Sequence, residues 1–299
     1  MDNNKIYLIL GANGLVGRFI ARQLDGKHKW YGTYYKREEP NLIKADITSN
    51  DDLEKIFEMA KPDHVINCTN LAGGVDFCEK NPDLAKKFHL HTNMSIGKLC
   101  NEYSSGFVFI STDYVFDGKN APYKEDDKPN PLNLYGKLKL ESEKWITSHI
   151  PNYLIVRTTN VFGWDPKTIT PNYMVSLYRT IKDKKQFNAP SFLWGNPTHA
   201  DDLASAVIEF CGKEINGVFH VVGSSFINRY DWALKACEMA GWDKSLIKEI
   251  KDVPKNMVPR PLKSNLSTDK FRKFCKTELS NVDKGLELFV KNMNEDIDR

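Results

Sequence analysis

The sequence predicts an α/β fold, a doubly wound parallel sheet with a smaller C-terminal lobe, on three observations. Short β-rich runs alternate with longer amphipathic ones through the first 160 residues. The short runs are apolar almost throughout, as in strands covered on both faces, rather than apolar at every second residue. The longer runs leave room for right-handed helical crossovers between parallel strands. A chain of 299 residues can bury a sizeable core in such a unit.

In order, "IYLIL" (6–10) is the first strand, and "VGRFIARQL" places apolar residues at helical spacing. "WYGTYY" (30–35) is the second strand, and a third precedes Asp46 in "KADI". "DDLEKIFEMA" is a helix with Ser49 or Asn50 as its N-cap. "HVINC" (64–68) is a strand, and "DLAKKFHLHTNMSIGKLCNEY" reads as one long helix. "GFVFIST" (106–112), the helix "NLYGKLKLESEKWITSH" and "YLIVRT" (153–158) complete the pattern. Beyond residue 160 Trp, Pro and Gly cluster in "VFGWDPKTITPNY" and "APSFLWGNPTH", with helices expected at 171–184, 201–212 and 229–241. The expected division is a cofactor-binding domain at 1–160 and a substrate-binding lobe at 161–299, with a segment near 199–221 returning to the first.

Composition narrows the function classes. A net charge of +3, with basic residues spread among acids, argues against nucleic acid or an anionic membrane as partner. No apolar run approaches the ~18 residues of a membrane helix. "MDNN" shows no leader, and the six cysteines, with no CxxC pair, read as reduced thiols of a cytoplasmic protein. His89 and His91, two apart, do not share a helix face, so no metal site is expected.

Two patterns carry chemistry. "GANGLVG" (11–17) sits between the first strand and first helix. Gly11 permits the sharp turn, Gly14 lets backbone N–H groups approach a pyrophosphate, and Gly17 lets the helix pack close. The second strand ends in Tyr34 and Tyr35, followed by Lys36 and Arg37. Two cations there suit the 2′-phosphate of NADP(H), the expected cofactor, whereas an acid would suit NAD. Asp46 and Ile47 are placed to reach the adenine. On the next helix Tyr135 and Lys139 lie four residues apart, on one face. A nearby ammonium lowers a tyrosine's pKa, so that the phenol can protonate a carbonyl oxygen as hydride reaches the carbon. Ser111 and Thr112, at a strand's carboxyl end, offer a hydroxyl to the same oxygen.

These residues, with "STDYVFDG" (111–118), "APYKEDDKPNPLNLYGKLKLESEK" (121–144), "VRTTNVFG" (157–163), "GNPTHADDLA" (195–204) and "RPLKSNLSTDKF" (260–271), resemble the extended short-chain dehydrogenases/reductases. More narrowly they resemble the dTDP-4-dehydrorhamnose reductase family. The resemblance implies a Rossmann-like fold and an NADPH-dependent reductase of a nucleotide-linked 4-keto-6-deoxy sugar. Thr112, Tyr135 and Lys139 would be catalytic. Gly11, Asn13, Gly14, Leu15, Val16, Gly17, Lys36, Arg37, Asp46, Ile47, Cys68, Thr69, Tyr135 and Lys139 are the expected cofactor contacts. Asp113, Tyr114, Asn160 and Arg260 are the expected substrate contacts, with Arg260 on the diphosphate.

Tyr114, where related dehydratases carry an acid, favours a plain reductase. Asn160, Phe192-Leu193 and the loop "NCTNLAGGVDFCE" depart from the family's pattern on the substrate side. Phe19 stands where metal-bridged dimers carry an acid, so no Mg²⁺ is expected at that interface, and the oligomeric state stays open with a homodimer as one alternative. Two alternatives stay open. One is an NADP-binding regulatory subunit resembling the methionine adenosyltransferase beta subunit. The other is a different sugar-nucleotide epimerase or reductase.

Overall fold

A computed structural model describes residues 5–167 and 170–297. Its thirteen strands are β1 Ile6–Leu10, β2 Lys29–Tyr34, β3 Ile43–Lys44, β4 His64–Asn67, β5 Gly106–Thr112, β6 Tyr153–Thr158, β7 Val161–Phe162, β8 Phe187–Pro190, β9 Trp194–Gly195, β10 Thr198–His199, β11 Gly217–His220, β12 Ile227–Asn228 and β13 Ile247–Ile250. Its eleven α-helices are α1 Leu15–Leu24, α2 Asn50–Ala60, α3 Gly74–Lys80, α4 Pro82–Lys86, α5 Thr92–Glu102, α6 Leu134–His149, α7 Tyr173–Lys182, α8 Ala200–Gly212, α9 Arg229–Ala240, α10 Asp269–Phe274 and α11 Val282–Ile297.

The central sheet has seven strands in the order β11-β6-β5-β4-β1-β2-β3, and every pairing is parallel. Strand order reverses between β1 and β4, where open α/β sheets form a ligand crevice at their carboxyl ends. The strand residues explain this packing. Leu8, Ile9, Leu10, Val65, Ile66, Phe107 and Phe109 are all at most 1% exposed, so both faces of the sheet need cover. On one face α1 and α8 pack Phe19, Ile20, Leu203, Val207 and Phe210 against it. On the other, α2, α5 and α6 contribute Leu53, Phe57, Ile96, Leu99 and Ile146. A separate core around Phe162, Trp164, Trp232 and Phe289 joins α7, α9 and α11.

The expected elements are present with small shifts at their ends. Ser49 is the cap of α2, its hydroxyl accepting from Asp52 N–H. The expected single helix over 83–103 is instead α4, a π-helical turn at Lys87–His91, and α5. The wider turn turns the buried His89 inward, and its carbonyl accepts from Asn93 Nδ2 at 2.6 Å and from the Ser142 hydroxyl of α6. Those side-chain bonds join the helix pair that backs the cleft. The loop after β4 also holds a helix, α3, that periodicity does not reveal because it is only two turns long.

Candidate functional site

The carboxyl edge of the sheet opens into a cleft of about 560 Å³. A smaller hollow of about 160 Å³ lies around Lys5, His64 and Asn152 at the amino edge, and none of the chemistry-bearing residues lines it.

The glycine turn forms one side. Gly11 adopts φ +79°, and its N–H donates to Thr33 Oγ1 at 3.1 Å, while Gly14 N–H donates to Gly11 O at 3.0 Å. Gly14 caps α1 without a side chain, so no side chain occupies the positive end of the helix. A Cβ on Gly17 would lie 2.4 Å from Gly11 O and 2.8 Å from Ala12 Cα, backbone atoms that cannot move aside. Close helix packing and open N–H groups suit a pyrophosphate.

Around this cradle, Asn13 Nδ2 donates to Arg37 O at 3.1 Å, tying the turn to the segment after β2. Leu15 and Val16 begin α1, and Val16 lines the cleft. Lys36 and Arg37 are exposed. Lys36 Nζ lies 6.0 Å from the Tyr35 ring, and Arg37 donates to Lys167 O. Glu38 follows Arg37 directly and is exposed, whereas Glu39 is held in a bidentate pair by Arg18, which also meets Asp165 at 3.0 Å. Asp46 Oδ1 accepts from Thr48 N–H and hydroxyl at 2.9 and 2.8 Å. The Ile47 side chain is 7% exposed in the core, so a ligand there could touch only its backbone. Cys68 and Thr69 line the cleft after β4. Burial pushes the Cys68 thiol up to about 12, and Thr69 donates to Asn67 Oδ1 at 2.6 Å.

Thr112, Asp113, Tyr114, Tyr135, Lys139 and Asn160 all line the same cleft. Thr112 ends β5 and Asp113–Val115 form a short turn. Helix α6 begins at the Asn133 cap, whose side chain also donates to Pro259 O at 2.9 Å. Gly136 lets α6 lie against that turn, since a Cβ there would come 2.2 Å from Tyr114 O. This contact sets Tyr135 in the same cleft as Thr112.

Lys139, 4% exposed, donates to Ile110 O at 2.8 Å, and its Nζ lies 5.9 Å from the Tyr135 ring centre and 4.5 Å from that of Phe109. Burial lowers its pKa to about 8, opposed by the charge of Glu143. One expectation needs correction here. The Tyr135 phenol is pushed up, not down, by burial and then by the Asp113 charge. The Lys139 ammonium places one of its three N–H donors on the Ile110 carbonyl and, among the described residues, makes no hydrogen bond to the phenol oxygen. Tyr135 therefore holds its proton across the neutral range and can donate it.

Burial raises Asp113 to about 6, and its Oδ1 accepts from the Thr112 hydroxyl at 3.1 Å. Tyr114 presents its ring edge to Tyr135 at 5.9 Å. Arg260 does not line the cleft: its Nη2 pairs with Asp76 of α3 at 3.0 Å, and its Nε donates to Val258 O at 3.1 Å. Phe19, 1% exposed, packs edge-on against His199. Among the described residues no group of three or more His, Cys, Asp or Glu side chains could hold a metal ion.

The profile of the RmlD substrate binding domain family matches residues 5–295. The chain belongs to that family. It is 31% identical over 249 residues to a probable low-salt glycan biosynthesis reductase from Haloferax volcanii, covering 80% of this chain and 81% of the other. It is 27% identical over 274 residues to methionine adenosyltransferase 2 subunit beta from Xenopus laevis, covering 89% and 81%. The solved dTDP-4-dehydrorhamnose reductase from Bacillus anthracis, in complex with NADP, superposes with a TM-score of 0.86 at 23% identity, covering 97% and 99%. The family's doubly wound, Rossmann-like fold is the fold of this chain.

Sequence reasoning missed several lining residues. Thr158, Thr159, Tyr173, Ser176 and Arg229 face the cleft. His89, considered only as a metal ligand, lies edge-on to Tyr135 at 5.2 Å, and burial lowers it to about 3. Tyr173 and Arg229 sit at helix starts after the Asn172 and Asn228 caps, a recurrent place for cleft residues. Nothing in the local pattern shows that these two helix starts meet.

Proposed function

We propose that the protein is an NADPH-dependent reductase of a nucleotide-linked 4-keto-6-deoxy sugar. The observation that carries this reading is the convergence of Thr112, Tyr135 and Lys139 beside the glycine cradle, in one cleft at the switch point of the sheet. The NADP complex of the Bacillus anthracis reductase and the two exposed cations after β2, which form no ion pair among the described residues, support the choice of cofactor. The glycine turn with Asn13, Leu15 and Val16 would hold the pyrophosphate end, and Lys36 and Arg37 the 2′-phosphate. Bound NADPH supplies a hydride to the carbonyl carbon.

The chain's own residues do the rest. Tyr135 and Thr112 offer their hydroxyls to the carbonyl oxygen, and Tyr135 gives up its proton as charge develops there. Lys139, fixed on Ile110 O, stabilises the tyrosinate left behind. Asp113 Oδ1 holds Thr112 in place by accepting from its hydroxyl at 3.1 Å. Arg260, with Tyr114, would receive the diphosphate as Asp76 is displaced.

The test is NADPH oxidation against dTDP-, UDP-, GDP- and CDP-linked 4-keto-6-deoxy sugars. Turnover with any of them supports the reading, and silence across the panel with NADPH still bound overturns it. A second reading draws on the similarity to methionine adenosyltransferase 2 subunit beta. In it the chain binds NADP and serves as a subunit of a partner enzyme, the outcome to which silence would point.

A further inference from the structure

Arg229 lies in the cleft wall and takes no part in the hydride chemistry. Its backbone is fixed at both ends: the N–H donates to Leu193 O at 3.1 Å, and the carbonyl accepts from the Tyr173 hydroxyl at 2.9 Å. Its guanidinium lies 5.3 Å from the Tyr173 ring centre. Its Nη2 donates to Asn160 Oδ1 at 3.2 Å. Asn160 holds φ +47°, and its carboxamide is pressed on Gly195, where a Cβ would come 2.4 Å from Asn160 Nδ2. Three chain segments thus aim one cation from the wall.

The charge is uncompensated. Arg18, Arg157 and Arg260 each have a carboxylate within 3.0 Å. Among the described residues Arg229 has no ion pair, and its one hydrogen bond goes to a neutral amide. A guanidinium carries five N–H donors, so most of this one's are open. Arg229 shares the cleft with Tyr114, whose ring lies edge-on to that of Tyr135 at 5.9 Å. A half-buried, aimed and unpaired arginine in a ligand cleft is built for a planar or tetrahedral oxyanion.

We propose that Arg229, oriented by Asn160 and Tyr173, binds an oxyanion of the substrate. The oxyanion is either the carboxylate of an acidic sugar or a phosphate of the sugar nucleotide. The proposal rests on reading the cleft as a nucleotide-sugar site.

Its test is calorimetric binding of UDP, dTDP, UDP-glucose and UDP-glucuronate to the NADP-loaded protein, comparing wild type with Arg229→Met. Methionine keeps an unbranched stem on Tyr173 and removes the charge. The expected loss is about 10–100-fold, the worth of a charge-assisted hydrogen bond. A loss confined to UDP-glucuronate assigns the sugar carboxylate, and an equal loss for all ligands assigns a phosphate. Unchanged affinities, or a wild type that binds none of the four, overturn the proposal. Arg229→Lys, which keeps the charge but loses the fork, is expected to fall between and serves if the methionine variant does not fold. An unchanged NADP affinity shows that the cleft is intact. These measurements do not read hydride transfer. A protein that binds through Arg229 yet oxidises no NADPH keeps the anion site and loses the reductase reading.

Discussion

The two walls of the cleft are built differently. On the nucleotide side the groups come from regular elements: the end of β5, the first turns of α6 and the β1–α1 junction. Backbone contacts of α1 on the glycine turn and of α6 on the 113–115 turn fix them. On the substrate side the groups are side chains at the starts of α7 and α9 and at the left-handed Asn160, fixed by one another. Backbone-built sites are rigid and general, whereas sites built from side chains can change their chemistry without changing the fold.

The strongest way to break this comparison is Tyr135→Phe. Removing the proton donor while sparing the cradle should cut ketone reduction by about 10²–10⁴-fold and leave NADPH affinity unchanged. Single-turnover NADPH oxidation and a cofactor titration check both halves, and a variant as fast as wild type removes Tyr135 from the mechanism.

Next is Glu143→Ala. Glu143 pairs with Arg157 at 2.7 Å and accepts from the Ser111 hydroxyl at 2.5 Å, with both members of the ion pair at most 4% exposed. Leaving Arg157 buried and unpaired should cost about 3–5 kcal/mol of stability by denaturant titration. A loss below about 1 kcal/mol would mean that this side is less rigidly built than the contacts indicate.

Replacing Lys36 and Arg37 together with alanine should weaken NADPH by about 10–100-fold, the worth of a charge-assisted contact, and NADH little. Equal losses for both cofactors would move the 2′-phosphate elsewhere.

The smallest expected effect is in pH. Lys139 falls from its usual 10.5 to about 8. The reduction rate should decline above pH 8 as the ammonium is lost. Between about 8 and 10.5 the unfolded chain binds more protons at this residue than the folded one. Its contribution to stability therefore rises with pH while activity falls. Stability curves of wild type and Lys139→Met over that range read the difference, and parallel curves would place the titration on another group.

The nucleotide side was legible in the sequence because each part has a local signature. Glycine spacing between strand and helix, cations after a strand and a Tyr–Lys pair one helical turn apart are read within a few residues. The π turn at 87–91 was not legible, and neither was the bond from Ser142 of α6 to His89 O, which joins segments 53 residues apart. The pairing of Arg260 with Asp76, 184 residues away, was not legible either. The Tyr135 phenol was expected to be lowered by Lys139, but burial set its direction and the ammonium found a carbonyl.

The sequence by itself determined the α/β class, the segments that form the first six strands and the glycine turn between β1 and α1, because hydrophobic period and short motifs are local properties of the chain. Only the tertiary structure decided which side chains meet across the cleft, which charges are neutralised and which stand alone. Arg18 and Arg229 look alike in the sequence. One is closed by Glu39 and Asp165 and the other left open on Tyr173, because burial and pairing depend on neighbours that the fold brings together from distant segments.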